Sequence, residues 1–478
     1  MLLKNNTSIL SFFCDLREGL RICMQTKNNK LFGTDGVRGQ ANLYPMTPEI
    51  ALAMGRAAGK ILREKYGKAR VVIGKDTRLS CYIFENALIA GLCSMGLDTL
   101  MVGPLPTPGV AFITRAYRAD AGIVISASHN PFFDNGIKFF DSNGFKLPDS
   151  WEMEVEQMVF KNSFEEHLPQ AHDIGKNTKI ADADGRYIEF VKATFPRKLS
   201  LKNLTIVLDC ANGAGYRVAP LVLRELDAKV FCYGVSPNGL NINLDCGSMH
   251  PETVRKGILE HHADVGIALD GDADRVVMVD ENAQIVDGDT MLAICARDMQ
   301  KNQMLKNSRV VGTVMSNLGF VKAMEGMGIE VIKSQVGDRY VIQEMLKQGA
   351  NLGGEQSGHM IFLDHNTTGD GLVCALQILR IMIETDSKLS ELASFVQRYP
   401  QVCLNVKVAK KPPLHALKTV TSAIEEVERQ LADKGRVVVR YSGTENSCRI
   451  MVEGIEHKQV IQLAESISAA VRQEIGLK

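Results

Sequence analysis

The chain has no excess of charge of either sign and no long apolar run. Lys+Arg and Asp+Glu both number 55 in its 478 residues. A protein that binds nucleic acid normally carries a surplus of basic residues, so the balance argues against a nucleic-acid partner. No apolar run approaches the roughly 20 residues that a membrane-spanning helix needs, which argues against a membrane protein.

The sequence also lacks any cysteine pattern with a structural meaning. Its eleven cysteines are scattered, with no C-x-x-C pair and no grouping with histidines. Such spacing fits neither a zinc site nor a disulfide framework. We therefore expect buried free thiols in a reducing cytoplasm.

The first 29 residues lack the organisation of a secretory signal. Polar residues interrupt a weak apolar stretch, charged residues follow it, and a small-residue cleavage site is missing. We expect residues 1–29 to be a dispensable extension, and Met24 is an alternative start.

Strand and helix patterns alternate along the remaining chain, which predicts an α/β fold with crossover helices. Thr47 and Pro48 are typical of a helix start, and Gly67 of a helix end. Another helix is predicted over residues 414–433. We expect four domains, and the first three share a strand–helix rhythm that suggests copies of one fold. Their predicted bounds are 30–180, 181–284, 285–395 and 396–478.

One short segment joins a predicted buried strand to two serines. The strand, Ile123 to Ile125, is followed by Ser126, Ala127, Ser128 and His129, and then by Asn-Pro. Asn-Pro favours a loop, because the residue before proline avoids the helical region. Ligands of open α/β sheets bind at the carboxyl ends of the strands. Ser128 is thus a candidate phosphoryl carrier, although an ordinary loop with two solvated serines gives the same local pattern.

Three aspartates follow a second predicted buried strand. Asp270, Asp272 and Asp274 alternate, which places their carboxylates on one side of an extended chain. Such carboxylates repel one another unless a cation lies among them, and all-oxygen ligands suit Mg²⁺. An EF-hand is the rival, since Glu281 is at the twelfth position from Asp270. Its sixth position should be glycine, however, and here it is Arg275.

Two later loops contain groups that bind sugars or anions. Residues 353–359, GGEQSGH, place Glu355, Ser357 and His359 on a glycine-rich loop, where carboxylate and hydroxyl groups suit sugar hydroxyls. Residues 440–449, RYSGTENSCR, offer backbone N–H groups, two hydroxyls and an arginine at either end, as an anion-binding loop would. A glycine-rich turn and a hairpin with exposed arginines remain the alternatives.

Taken together, the motifs GTDGVRG, SASHNP with GIK, DGDADR, VGDR, GEQSGH and R-x-S-G-T-E resemble those of the α-D-phosphohexomutase family. They occur in the family's order from about Leu31 to the C-terminus. The resemblance implies four domains around a central cleft, three of related mixed α/β topology and a smaller C-terminal α+β domain. One residue departs from the family pattern, because Asn446 follows S-G-T-E where proline is common.

The resemblance also implies a role for each motif. Ser128 would be the phosphoserine, and Mg²⁺ would be held by its phosphoryl oxygen together with Asp270, Asp272 and Asp274. The residues around the reacting phosphoryl group would be Arg38, His129, Lys138 and Arg275. The residues at the sugar would be Asp338, Arg339, Glu355, Ser357 and His359. The residues at the non-transferring phosphate would be Arg440, Ser442, Gly443, Thr444 and Arg449.

The implied activity is a mutase that acts on a small-molecule hexosamine phosphate through a hexosamine 1,6-bisphosphate. Gln356 and the GTDGVRG opening favour the amino sugar by resemblance, with glucose or mannose phosphate as the alternative substrate. A sugar phosphatase and a non-catalytic sugar-phosphate binder are alternatives of another class. The expectations are compatible with a homodimer and include neither nucleic acid nor membrane as a partner.

Overall fold

The computed structural model of the chain describes residues 30–33, 35–161, 164, 168–442 and 446–477. The expected extension over residues 1–29, with Met24, lies outside these residues. The described chain forms four sheets, one after another along the sequence. None of its helices combines the length and apolar character needed to cross a bilayer.

The first domain contains a six-stranded sheet. Its strands are β1 (Val37–Gln40), β2 (Arg70–Lys75), β3 (Asp98–Pro104), β4 (Ala121–Ile125), β5 (Asp134–Asp141) and β6 (Asn177–Lys179). Its helices are α1 (Pro48–Tyr66), α2 (Cys81–Ser94), α3 (Thr107–Ala116) and α4 (Asp149–Lys161). The strand order is β1-β5-β4-β2-β3-β6, and β5 is antiparallel to both of its neighbours.

Helix α1 confirms the start and stop predicted from the sequence. The Thr47 hydroxyl accepts a hydrogen bond from the Ile50 N–H, and Pro48 is the first helical residue. Gly67 ends the helix with a positive φ of 72°, where its N–H donates to the carbonyl of Arg63. Glycine suits this position because it has no Cβ to clash there.

The second domain contains a five-stranded sheet. Its strands are β7 (Thr205–Asp209), β8 (Lys229–Tyr233), β9 (Val265–Leu269), β10 (Val276–Asp280) and β11 (Ile285–Val286). Its helices are α5 (Ala183–Ala193), α6 (Val218–Glu225) and α7 (Glu252–His261). The strand order is β11-β10-β9-β7-β8. Strand β11 pairs with this sheet just past the domain boundary predicted at residue 284, and the predicted boundaries stay predictions.

The third domain contains a four-stranded sheet with helices on it. Its strands are β12 (Arg309–Thr313), β13 (Glu330–Ser334), β14 (Leu352–Gly354) and β15 (Met360–Phe362). Its helices are α8 (Gly288–Lys301), α9 (Leu318–Glu325), α10 (Asp338–Gln348), α11 (Gly371–Thr385) and α12 (Leu389–Ala393). The strand order is β13-β12-β14-β15.

These three sheets share one four-stranded core. The equivalent strand orders are β5-β4-β2-β3, β10-β9-β7-β8 and β15-β14-β12-β13. In each core the first pair is antiparallel and the other pairs are parallel. The antiparallel pair is connected in the three domains by the loops that contain Ser128, the three aspartates and Glu355. The shared topology places all three predicted site loops at equivalent positions of one fold.

The fourth domain is smaller and different. Its antiparallel strands are β16 (Gln401–Lys407), β17 (Arg436–Tyr441) and β18 (Ser447–Glu453), with β18 in the centre. Its helices are α13 (Lys418–Leu431) and α14 (His457–Ile475). Helix α13 is shorter than the predicted 414–433, because residues 414–416 after Pro413 form a separate 3-10 turn. The four domains confirm the predicted fold class.

The apolar core divides between the domains. The largest cluster of buried apolar residues extends through the first three domains, whereas the fourth domain has a cluster of its own. The nine described cysteines are free thiols, and six of them are buried. The expectation of buried thiols is wrong for Cys403, which is exposed on β16, and Cys93 and Cys232 are half-buried.

Candidate active site

The loop after β4 holds Ser128 in a tightly constrained position. Ser128 is buried and has a φ of 51°, which few residues other than glycine adopt. Its N–H donates to Ser126 Oγ at 2.9 Å, and its hydroxyl donates to Asp270 Oδ2 at 2.6 Å. The predicted phosphoryl carrier and the first predicted metal ligand are therefore hydrogen-bonded across two domains.

The loop after β9 brings the three aspartates together. One carboxylate oxygen from each of Asp270, Asp272 and Asp274 lies within 4.8 Å of the others, and all three residues are buried. Asp272 Oδ2 accepts from Thr107 Oγ1 at 2.7 Å and from Lys138 Nζ at 3.0 Å. No other cluster among the described residues meets the same test for a metal site.

The charges of this loop favour a bound cation. Burial raises the pKa of Asp270 and of Asp274 above the usual range, and repulsion by neighbouring carboxylates adds to it. Burial also opposes ionisation of Asp272, but Lys138, the hydrogen bond from Thr107 and Arg38 together outweigh it and lower the pKa of that carboxyl. Asp272 Oδ1 and Asp274 Oδ1 are buried without a hydrogen-bond partner in the described residues. Two carboxylate oxygens that accept no hydrogen bond, beside a third carboxylate, fit a divalent metal ion.

The flanking structure decides against an EF-hand. The aspartate loop connects strands β9 and β10, whereas an EF-hand loop connects two helices. Glu281 lies beyond β10, where its carboxylate accepts from the Ser390 hydroxyl.

The glycine-rich loop between β14 and β15 packs against the aspartate loop. The Val276 N–H donates to the Gly358 carbonyl at 3.1 Å, and a Cβ on Gly358 would lie 2.0 Å from the Val276 oxygen. Glu355 Oε1 accepts from the Gly337 N–H at 2.9 Å, whereas Ser357 is exposed. A glycine at 358 is therefore required for the close approach of the two loops.

A closed series of polar contacts links the three domains around these loops. Its members, each in contact with the next, are Asp35, Lys138, Asp274, His359, Asp338 and Lys146. Lys138 Nζ lies 3.2 Å from Asp35 Oδ2, and His359 Nε2 lies 3.8 Å from Asp338 Oδ2. Burial opposes the charge of Lys138, but Asp272, Asp35 and Asp274 together outweigh it and raise its pKa.

Two members of this series, Asp35 and Lys146, were not among the predicted site residues. Asp35 belongs to the GTDGVRG motif, so its motif was a usable signal. Lys146 lies in a stretch without a motif, yet its ammonium group bridges Asp35 of the first domain and Asp338 of the third.

The other predicted cations also lie near Ser128. Arg38 forms an ion pair with Asp35, and the Arg275 N–H donates to Asp270 Oδ1 at 3.1 Å. Burial lowers the pKa of His129 to about 4, with further contributions from Arg275 and Arg38. His129 is therefore neutral at pH 7 in the unphosphorylated protein.

Arg339 has contacts that differ from those of the other residues predicted to lie at the sugar. Its guanidinium forms ion pairs with Asp149 and Glu152 on α4 of the first domain. Asp338 contacts His359 of its own domain and Lys146 of the first. These contacts support a role for Arg339 in joining two domains, and its role at the sugar stays a prediction.

The predicted phosphate loop lies in the fourth domain. Arg440 on β17 and Arg449 on β18 are directly opposite each other, an arrangement that is destabilising unless an anion offsets it. Arg449 is exposed and Arg440 is half-buried. Ser442 is buried, and its carbonyl accepts from Lys411 Nζ at 2.7 Å. Gly443 and Thr444 lie outside the described residues.

Sequence profiles of one family match nearly the whole chain. They are described as phosphoglucomutase/phosphomannomutase alpha/beta/alpha domains I, II and III and C-terminal domain, and they match residues 29–166, 185–284, 287–399 and 404–470.

Curated relatives are similar along almost their full length. A phosphoglucosamine mutase of Protochlamydia amoebophila is 78% identical over 94% of this chain and 98% of its own. One of Chlamydia trachomatis serovar D is 60% identical, with the same coverage.

Solved structures show the same fold at low sequence identity. A phosphoglucomutase/phosphomannomutase family protein of Burkholderia thailandensis has a TM-score of 0.78 at 22% identity, over 94% of this chain and 100% of its own. The N-acetylphosphoglucosamine mutase of Aspergillus fumigatus, solved with GlcNAc-6P and magnesium, has a TM-score of 0.65 at 17% identity, over 96% and 99%.

Proposed function

Because the chain belongs to the phosphoglucomutase/phosphomannomutase family, we propose that it is a mutase that interconverts glucosamine 6-phosphate and glucosamine 1-phosphate. The amino-sugar substrate follows from relatives of 58–78% identity named phosphoglucosamine mutase. The observation that carries the proposal is the hydrogen bond from the Ser128 hydroxyl to Asp270 of the aspartate cluster. The product would feed the synthesis of UDP-N-acetylglucosamine and cell-wall precursors.

The metal of this site is Mg²⁺, held by Asp270, Asp272, Asp274 and a phosphoryl oxygen on Ser128. The two buried carboxylate oxygens that accept no hydrogen bond and the all-oxygen donor set support this assignment. When bound, Mg²⁺ polarises the phosphoryl group and offsets its charge.

The reaction comprises two phosphoryl transfers. In the first, the P–O bond to Ser128 Oγ breaks, and a bond forms to the free hydroxyl of the hexosamine monophosphate. The product is the hexosamine 1,6-bisphosphate, and the proton lost by the sugar hydroxyl is balanced by the proton gained at Ser128 Oγ. In the second, after the bisphosphate has reoriented in the cleft, the P–O bond between the sugar and its other phosphate breaks and a bond to Ser128 Oγ forms. The proton lost by Ser128 Oγ is balanced by the proton gained at the sugar hydroxyl that is released. Between the two transfers Ser128 has a free hydroxyl group. The hydrogen bond from that hydroxyl to Asp270 is the contact expected at this stage.

The cations around Ser128 provide the electrostatic part of catalysis. Phosphoryl transfer depends mainly on positioning and on neutralising charge. Lys138 is buried and stays charged beside Asp35 and Asp272, so its position is set before substrate binds. Arg38 and Arg275 interact with the charges of the aspartate cluster, and His129, which is neutral in the unphosphorylated protein, lies beside Ser128. Preorganised charges of this kind need no rearrangement during the reaction.

The two remaining loops hold the substrate. Glu355 and Ser357 bind sugar hydroxyls, with Asp338, Arg339 and His359 at the same loop cluster. The phosphate that is not being transferred binds to residues 440–449, the predicted phosphate loop, which we call the arginine loop. Its proposed ligands there are Arg440, Ser442, Gly443, Thr444 and Arg449. Because the sugar must bind in two orientations, these contacts suit groups that are equivalent in both.

A ³¹P NMR time course tests this proposal. Protein, Mg²⁺ and a trace of hexose 1,6-bisphosphate are incubated separately with glucosamine 6-phosphate, glucose 6-phosphate and mannose 6-phosphate. We expect the first substrate to be converted fastest to its 1-phosphate. Faster conversion of glucose or mannose phosphate would assign the sister activity. Free phosphate without any 1-phosphate would indicate a phosphatase, and no reaction of any substrate would indicate a binder.

A further inference from the structure

We propose that Arg78 and Asn243 are positioning residues that together fix the backbone of the Ser128 loop. Neither residue belongs to a motif assigned to the reaction. The inference rests on the proposed function, because it assumes that Ser128 carries the phosphoryl group.

The two side chains donate to the same two carbonyl oxygens. Arg78 Nη2 lies 3.1 Å from the Ser128 oxygen and 2.5 Å from the Asn130 oxygen. Asn243 Nδ2 lies 2.9 Å from each of them. Four hydrogen bonds therefore converge on the carbonyls that flank His129, and we call this arrangement the carbonyl clamp.

The arginine of the clamp is held in place by its own ion pair. Arg78 is completely buried, and its other terminal nitrogen pairs with the carboxylate of Asp76. Asp76 Oδ1 also accepts from the Arg78 N–H at 2.9 Å. A planar guanidinium can face a carboxylate on one side and carbonyls on the other, which a lysine ammonium cannot do with the same geometry.

The conformation of the serine explains why a clamp is needed. With a φ of 51°, Ser128 lies in the left-handed region, which persists in a non-glycine residue only where its surroundings enforce it. A Cβ on Gly271 would lie 2.6 Å from the Ser128 carbonyl oxygen and 2.8 Å from Asn243 Nδ2. The aspartate loop thus packs directly on the clamp, and the clamp sets where Ser128 Oγ lies relative to Asp270.

The clamp also joins two domains. Arg78 lies in the loop after β2 of the first domain, and Asn243 lies between β8 and α7 of the second. Nearby contacts hold the same junction, because the Leu79 N–H donates to the Gly239 carbonyl at 2.9 Å. The position of the serine therefore depends on how these two domains are docked.

The expected kinetic signature is a loss of kcat without a comparable change in KM. The clamp contacts the loop backbone and not the predicted sugar or phosphate ligands, so substrate binding is largely preserved. A misplaced reacting group lowers the rate by about 100-fold when the displacement is near 1 Å. An interaction made only in the transition state lowers kcat and kcat/KM together.

The test compares Asn243→Ala and Asn243→Asp with the control Asn241→Ala. Asn241 lies in the same loop, but its side chain bonds only to Ser236 and Asn238 within the second domain. We expect kcat with glucosamine 6-phosphate to fall about 100-fold in Asn243→Ala with little change in KM, and the control to stay near wild type. Asn243→Asp should be at least as impaired, because a carboxylate cannot donate to two carbonyls.

A second readout does not depend on turnover. Amide hydrogen exchange of the peptide over residues 125–133 should become faster in Asn243→Ala and remain unchanged in Asn241→Ala. Unchanged exchange there, or wild-type kcat in Asn243→Asp, would overturn the clamp. Wild-type protein that fails to isomerise any sugar phosphate would instead reject the proposed function, while the exchange result still decides whether the clamp holds the loop.

Discussion

The loops of the first three domains and the arginine loop of the fourth both handle phosphate, yet they are built differently. Ser128 and the three aspartates are buried, hydrogen-bonded across domains and packed on a shared apolar core. The arginine loop has an exposed Arg449 and belongs to a domain with a separate core. The first region is assembled before substrate arrives, whereas the second has charges left for the substrate to neutralise.

The contacts of the fourth domain agree with this difference. The fourth domain contacts the third domain at the end of the fourth domain's sheet where β17 begins. There Arg436 donates to the Ser316 carbonyl, and Lys322 Nζ donates to the Asp433 carbonyl at 3.0 Å. The arginine loop lies at the other end of β17. A domain held at one end is suited to close over a substrate and to open again while the bisphosphate reorients between the two transfers.

We expect the largest effect from a substitution that removes the reacting oxygen atom of the preassembled region. Ser128→Ala should lower mutase activity by about 10⁴-fold or more, because no other group replaces the phosphoryl carrier. The measurement is isomerisation followed by ³¹P NMR, with intact-mass analysis for bound phosphate.

Ser126→Ala is the matched comparison for this variant. It removes the acceptor of the Ser128 N–H but keeps the hydroxyl at 128, so phosphate should still be found on the protein. Wild-type turnover in Ser128→Ala would contradict the assignment.

A smaller effect is expected from changing one metal ligand. Asp272→Asn should weaken the apparent affinity for Mg²⁺ by about 100-fold, because it removes a ligand charge. The check is activity titrated with Mg²⁺, beside Asp280→Asn, whose carboxylate bonds only to the turn after β10. Identical titrations of Asp272→Asn and wild type would exclude the proposed site.

The arginine loop should respond in KM rather than kcat. Loss of a charge-assisted hydrogen bond to phosphate costs about 2 kcal/mol, so Arg440→Ala should raise KM by roughly 30-fold. Arg429→Ala removes the same charge from an exposed face of α13 and serves as the control. A loss confined to kcat would instead assign Arg440 to the preassembled region. It would then contradict the proposed difference between that region and the arginine loop.

The smallest effect concerns stability where the third and fourth domains meet. Burial raises the pKa of Asp289 to about 7, and repulsion by Asp287 adds to it. The folded state therefore binds a proton that the unfolded state lacks at intermediate pH, so this contribution to stability is present at low pH and is lost as pH rises through about 7.

Asp289→Asn should flatten this part of the pH dependence. An amide oxygen can still accept from the Asn317 N–H, as Asp289 Oδ2 does now at 2.6 Å. Calorimetric Tm values at about pH 5 and about pH 8 test this, and the variant should lose less stability between them than wild type. An equal loss in both proteins would show that Asp289 does not titrate as described.

Much of this molecule could be predicted from the sequence because its signals are local. Thr47, Pro48 and Gly67 act on the backbone next to them, and α1 follows. Asp272 and its neighbours in the aspartate loop are two residues apart, so their proximity needs no tertiary information.

Other features had no local signal. The contacts of Arg339 with Glu152 and of Arg78 with Ser128 join residues far apart in the chain. Lys146 lies outside any motif, and only the docking of the first and third domains places its ammonium group between Asp35 and Asp338.

The sequence by itself therefore determined the strands, the loops that follow them and the chemical groups on those loops, since each depends on residues close together in the chain. The tertiary structure decided which groups share a site. Burial and long-range ion pairs bring three equivalent loops together, hold Ser128 against Asp270 and leave Arg449 exposed. These effects depend on the distances between domains, which short-range patterns do not contain.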